Sequence, residues 1–200
     1  MRLAIVFFLL SPFLLQAEKM AFCLTLSLAN EPHPLYSPGD ENIPHPFSFY
    51  QDRAKDPVYP YEGAGGSGSF LFDPETNELE YAISYSGFSG RPLMMHFHLG
   101  ETGVAGPIIQ TIFGEPYSTK APLGTTPKAP LNGKEAPKGR SGFISGKYKL
   151  IGNKTLTPPL TAEKEAELLL NGSIYIDTHT YLNEAGEIRG QILPCTQLEG

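Results

Sequence analysis

From Gly65 onward the chain is cut into short apolar–polar alternations, each closed by a turn rich in glycine, proline, asparagine or aspartate. A two-residue period gives a strand one buried face and gives a helix none. Turn signals this close together leave no room for long helices and confine the chain to all-β architectures. Ser69 to Phe72 and Leu79 to Tyr85 read as antiparallel strands joined through Asp73-Pro74-Glu75-Thr76-Asn77. Leu93 to Leu99 and Pro107 to Phe113 follow, separated by Gly100-Glu101-Thr102-Gly103. Phe143 to Leu150, Ser173 to Thr180 and Glu187 to Leu193 complete the set. A single helix is predicted, Ala162 to Leu170, capped by Thr161, acidic in its first turn and stopped by Asn171-Gly172. The expected interior comprises Phe70, Phe72, Tyr81, Ile83, Phe97, Leu99, Ile108, Ile112, Ile174, Ile176, Ile188 and Ile192.

Composition supports this reading, because 21 glycines and 19 prolines accompany only 18% charged residues. The formal charge is −6; without Arg2 the count becomes 14 basic against 21 acidic residues, near −7. An acidic chain of this kind excludes a nucleic-acid partner. Lys120, Lys128, Lys134, Lys138 and Arg140 stand among prolines and glycines. They read as a solvated loop, with an anionic glycan or lipid surface as the alternative.

Met1-Arg2, the apolar run Leu3 to Leu15 and then Gln16-Ala17-Glu18 have the order of a secretory signal peptide. The run is too short for a comfortable membrane span, so no transmembrane segment is expected in the mature protein. Cleavage is expected after Ala17, with an alternative end at Ala29. The predicted organisation is therefore a leader over 1–17, a proline-rich arm over 30–62 and one domain over 63–195. His33 and His45 precede prolines in that arm and read as solvent-exposed. Only the earlier cut retains both Cys23 and Cys195, in which case an oxidising compartment permits them to pair.

His96 and His98 are two residues apart in a strand, so they share a face, while Met95, Phe97 and Leu99 take the other. In Ser173 to Thr180, Ile174 and Ile176 point inward and Tyr175, Asp177 and His179 point outward. If these strands are neighbours, three imidazoles converge outside the core as nitrogen donors for copper or zinc. Asp177 then serves as a ligand or as an acceptor behind one, and Arg189 is a further candidate for the site. The alternative is that the histidines bond backbone groups, and that Arg189 pairs with Glu187, Asp177 or Glu184. No nucleophile elbow, phosphate loop or spaced acid pair is present, so no catalytic residue is assigned.

Three stretches, Met95-His96-Phe97-His98-Leu99-Gly100, Gly172 to Thr180 and Gly186-Glu187-Ile188-Arg189-Gly190-Gln191-Ile192, together resemble the CHRD (chordin-repeat) family. Gly106-Pro107-Ile108 after the first and Leu168-Leu169-Leu170 before the second extend the resemblance. It implies an antiparallel Greek-key β-sandwich, immunoglobulin-like or superoxide-dismutase-like, in an exported protein, secreted or periplasmic if the source is Gram-negative. A more distant similarity is to copper/zinc superoxide dismutase, on His96, His98, His179 and Ala185-Gly186 followed by Arg189. No histidine lies between Leu99 and Thr178, so the metal-bridging ligand of that enzyme has no counterpart, and the arginine is offset by one residue. The expected function is a non-catalytic module binding an extracytoplasmic protein or glycan and holding copper or zinc. A copper-dependent dismutase-like redox enzyme is the alternative.

Overall fold

The structure, a computed structural model, describes residues 17–30, 63–114, 137–180, 183 and 186–195. The apolar run Leu3 to Leu15, His33 and His45 of the proline-rich arm, and Lys120, Lys128 and Lys134 lie outside them. Among the described residues nine strands and one α-helix form: β1 Met20–Ser27, β2 Gly65–Asp73, β3 Glu78–Ser86, β4 Pro92–Leu99, β5 Ile108–Phe113, β6 Gly142–Lys149, α1 Ala162–Leu170, β7 Ile174–Thr180, β8 Ile188–Gln191 and β9 Leu193–Pro194. No helix among the described residues is long and apolar enough to cross a membrane.

All pairings are antiparallel, and the order is β5-β4-β7-β8-β1-β2-β3-β6, with β9 also on β1. The chain crosses between β5-β4-β7-β8 and β1-β2-β3-β6 after β3, β5 and β6, the connectivity of a Greek-key fold. Those halves face one another across the core: Phe97 of β4 meets Tyr81 of β3 edge-on at 5.7 Å and Tyr148 of β6 at 5.0 Å. Two separate sheets are expected from the sequence; here hydrogen bonding runs on from one half to the other where Ser27 pairs with Arg189. The result is a sheet folded over to near closure, like a barrel.

That join depends on β1, a strand the sequence reading does not contain. Met20 to Ser27 looks like more of the apolar N-terminal region, yet it alternates, and Phe22, Leu24 and Leu26 enter the core. All eight of its residues pair with β2. The disulfide Cys23–Cys195 then ties β1 to the chain just after β9.

Local chemistry closes the other elements as expected. Asp73 Oδ1 accepts from the Glu75 and Thr76 amides, and Asn77 takes a left-handed φ of 57°, turning β2 into β3. Thr161 caps α1 by accepting from Lys164 N. The helix exits through Gly172, at φ 71°.

Other expectations need correction. Glu165, one of the acids of the first helical turn, is fully buried and accepts from the Gly152 amide. Ile108 is not in the core. The β4–β5 register slips between Phe97 and His98, which puts Ile108 opposite His98 and gives its inward place to Ile109. Leu99 is only partly buried. The stretch Glu187 to Leu193 breaks at Ile192, and its last residues leave β7 to pair with β1 as β9. Arg140 is exposed, as a solvated loop would have it, and its Nε also donates to the Phe88 carbonyl.

Candidate metal centre

The β4–β7 ladder sets His96 opposite Asp177, His98 opposite Tyr175 and Met94 opposite His179. Cross-strand partners share a face. The three histidines and Asp177 therefore project together from the side away from the core, while Met95, Phe97 and Ile176 pack inward. β4 and β7 each have a strand on both sides, which fixes the register from two directions. The expected parity holds, but the expected exposure does not. His96, His98, Asp177 and His179 are all buried, and the chain after β4 folds back against His98 and Arg189.

One ligand-type atom from each of these four residues lies within 4.8 Å of all the others. Asp177 Oδ1 is 3.0 Å from His98 Nε2, 3.2 Å from His179 Nε2 and 4.0 Å from His96 Nδ1. Donors bound about 2.0–2.1 Å from one tetrahedral zinc ion lie roughly 3.3 Å from each other. The Asp177–His98 and Asp177–His179 distances are near that spacing, while His96 stands farther off at 4.0 Å.

Its polar atoms do not satisfy one another. Both ring nitrogens of His96, Nε2 of His98 and Oδ1 of Asp177 are buried without a hydrogen-bond partner. Buried polar atoms that are close but unbonded are an arrangement a shared cation would satisfy. Burial, with His179 beside it, pushes His96 down to about 3 against the opposing pull of Asp177, so its imidazole is neutral at physiological pH. Burial alone would raise the Asp177 carboxyl; His179 and His98 outweigh it and hold that group well below the ordinary carboxylate range. The group thus offers the neutral imidazole of His96, two further histidines and one anionic oxygen, donors of the kind that hold a divalent transition ion.

His98 is oriented from behind. Its Nδ1 lies 2.9 Å from the Gly106 carbonyl, which can only accept, so Nδ1 donates there and Nε2 is the ring nitrogen turned toward the cluster. Its ring stacks on Tyr175 at 4.9 Å. The alternating pattern places Tyr175 on this face, but nothing in it signals a partner for His98. The Gly106 carbonyl, a backbone atom, has no sequence signature at all.

Arg189 lies beside the cluster and outside it. Its guanidinium sits 3.3 Å above the Tyr175 ring and donates to the carbonyls of Val104 and Glu101. Although it is the cross-strand partner of Asp177, the two form no ion pair among the described residues. Glu187, another partner the sequence suggests for it, instead accepts from Ser89, Thr180 and Asn183.

Residues 53–192, well over half of the chain, match the family model of the CHRD domain. No curated protein and no solved structure matches the chain.

Proposed function

The chain belongs to the CHRD-domain family, and from that premise we propose that it is an exported interaction module that holds one copper or zinc ion. His96, His98 and His179 are the nitrogen ligands, and Asp177 supplies the fourth donor. The observation that carries this reading is the set of buried atoms in His96, His98 and Asp177 that stand at ligand spacing yet form no hydrogen bonds. Four donors leave no position on a tetrahedral ion for a substrate, which favours holding metal over turning over with it.

Export is supported by the leader-like N-terminus and by the Cys23–Cys195 disulfide, since disulfides persist in oxidising compartments. Removal of the leader after Ala17 keeps Cys23 and all of β1. Cleavage after Ala29 would discard Phe22, Leu24 and Leu26 from the core, which supports the earlier site. The partner, a protein or a glycan, belongs to the same compartment.

The convergence of the His-x-His strand with His179 is the observation in favour of a copper-dependent dismutase-like enzyme. Against it, Arg189 is 2% exposed, with two of its N–H groups on carbonyls and its face on a tyrosine ring, so it presents no open cation to an anionic substrate. Calorimetric titration of metal-stripped protein with Zn(II) and Cu(II) tests the metal reading. One ion per chain is expected, with binding lost in His98→Ala and His179→Ala. Affinity no tighter than about millimolar, near −4 kcal/mol, would end the proposal. Superoxide turnover by copper-loaded protein, abolished in His98→Ala, would restore the enzyme reading.

A further inference from the structure

Resting on that metal reading for its consequence, a second inference concerns Arg189. We propose that Arg189 is the positioning residue of the centre: it pins the Glu101–Gly106 segment so that the Gly106 carbonyl holds His98 with its Nε2 toward the metal.

Arg189 is long, charged and almost completely buried, a costly placement that demands partners. It has them on the segment after β4, donating from one guanidinium nitrogen to Val104 O at 2.9 Å and from another to Glu101 O at 2.7 Å. A planar fork is suited to bridging two acceptors at once, which an ammonium is not. Its flat face covers Tyr175 at 3.3 Å. Tyr175 Oη in turn accepts from the Gly106 amide at 3.0 Å, and the tyrosine ring backs His98. One side chain on β8 thus holds both ends of the arrangement, the segment directly and its final residue through the tyrosine.

The segment needs such a clamp. Glu101 to Ala105 are exposed, so little burial secures them. The approach is also close. A Cβ at Gly106 would fall 1.5 Å from Leu99 O, and one at Gly100, where φ is +155°, would come 2.7 Å from Val104 O. Only glycine at both ends lets the chain double back tightly enough to present the Gly106 carbonyl to His98. By engaging these carbonyls, Arg189 also leaves Asp177, its cross-strand partner, free of an arginine and available to the histidines.

The test compares wild type with Arg189→Met, which keeps an apolar stem but no donors, and with Tyr175→Phe, which loses only the hydroxyl. Nitrogen NMR of the metal-free proteins reports the His98 tautomer, and transfer of Zn(II) to a chelator reports retention. Wild type is expected to show the Nδ1-protonated form. Arg189→Met is expected to lose that uniform signature and release Zn(II) roughly 10–100-fold faster at unchanged stoichiometry. Tyr175→Phe should shift both readouts the same way by less, and Arg189→Lys should fall between wild type and Met. An Arg189→Met protein with the wild-type tautomer and release rate overturns the inference. If Arg189→Met does not fold, a Tyr175→Phe protein unchanged in both readouts overturns it instead. A wild-type protein that binds no Zn(II) removes the metal reading alone, and the tautomer comparison still decides what Arg189 does.

Discussion

His98 on β4 and Asp177 on β7 bring Nε2 and Oδ1 to 3.0 Å, yet neither atom makes a hydrogen bond. They are not direct cross-strand partners; His98 pairs with Tyr175, and Asp177 reaches it along the diagonal from opposite His96. Such an approach brings a carboxylate to three imidazoles without aligning it on any one of them. Zn(II) at about a hundred times its dissociation constant should therefore stabilise the fold by about 2.7 kcal/mol, visible as a raised melting temperature. Asp177→Asn keeps the shape but loses the charge, and should show a clearly smaller shift at the same zinc concentration. An equal shift would place the ion elsewhere.

Ile176 lies one residue from Asp177 on the opposite face and is fully buried. Ile176→Ala should cost about 2–5 kcal/mol in urea unfolding while leaving zinc stoichiometry at its wild-type value. A cost near zero would mean that the β7 parity is reversed, and with it the direction of every site residue on that strand.

Glu165 supplies a pH dependence unrelated to the metal. Burial raises its carboxyl to about 7, against the Gly152 amide, which favours the charged form. The folded state then binds a proton that the unfolded chain releases near its ordinary carboxylate value of about 4.3. Stability from this group is fully present below that lower value and is lost as pH rises through about 7. Glu165→Gln mimics the protonated form. Its advantage over wild type should be negligible at low pH and grow to roughly 1–2 kcal/mol above neutrality. A constant difference across that range would show that Glu165 titrates normally.

Reduction of Cys23–Cys195 should be strongly destabilising, because the bridge spans 172 positions of sequence. Loop closure of that length is worth up to about 5 kcal/mol in the chain-entropy account. β1 should loosen first, since the bridge holds it against β9. Hydrogen exchange after reduction should therefore show protection lost earlier at Phe22 and Leu24 than at Phe97 and Ile176. Uniform loss would mean that β1 is held by β2 alone.

Much of this was written locally. The Asp73–Asn77 turn, the capped helix from Ala162 to Leu170 and the shared face of His96 and His98 all follow from interactions within a few residues. Sequence alone is sufficient for these, because dihedral preference, capping and strand alternation act over that range. The inward place of Ile109 was not legible, since it depends on a register slip against β4. Nor was the role of Met20 to Ser27, whose apolar alternation beside a leader-like run acquires meaning only when β2 and β8 accept it as a neighbour.

For the site, the chain itself determined which residues face outward on β4 and β7. Only the tertiary structure decided that the two strands are adjacent, that His96 stands opposite Asp177, and that the outward face is buried. Ladder register and the return of Glu101 to Gly106 over that face join residues about 80 positions apart, as between Asp177 and His96. No local preference encodes such a meeting. It arises because packing one apolar face into the core fixes the register, and the register then brings the polar face together.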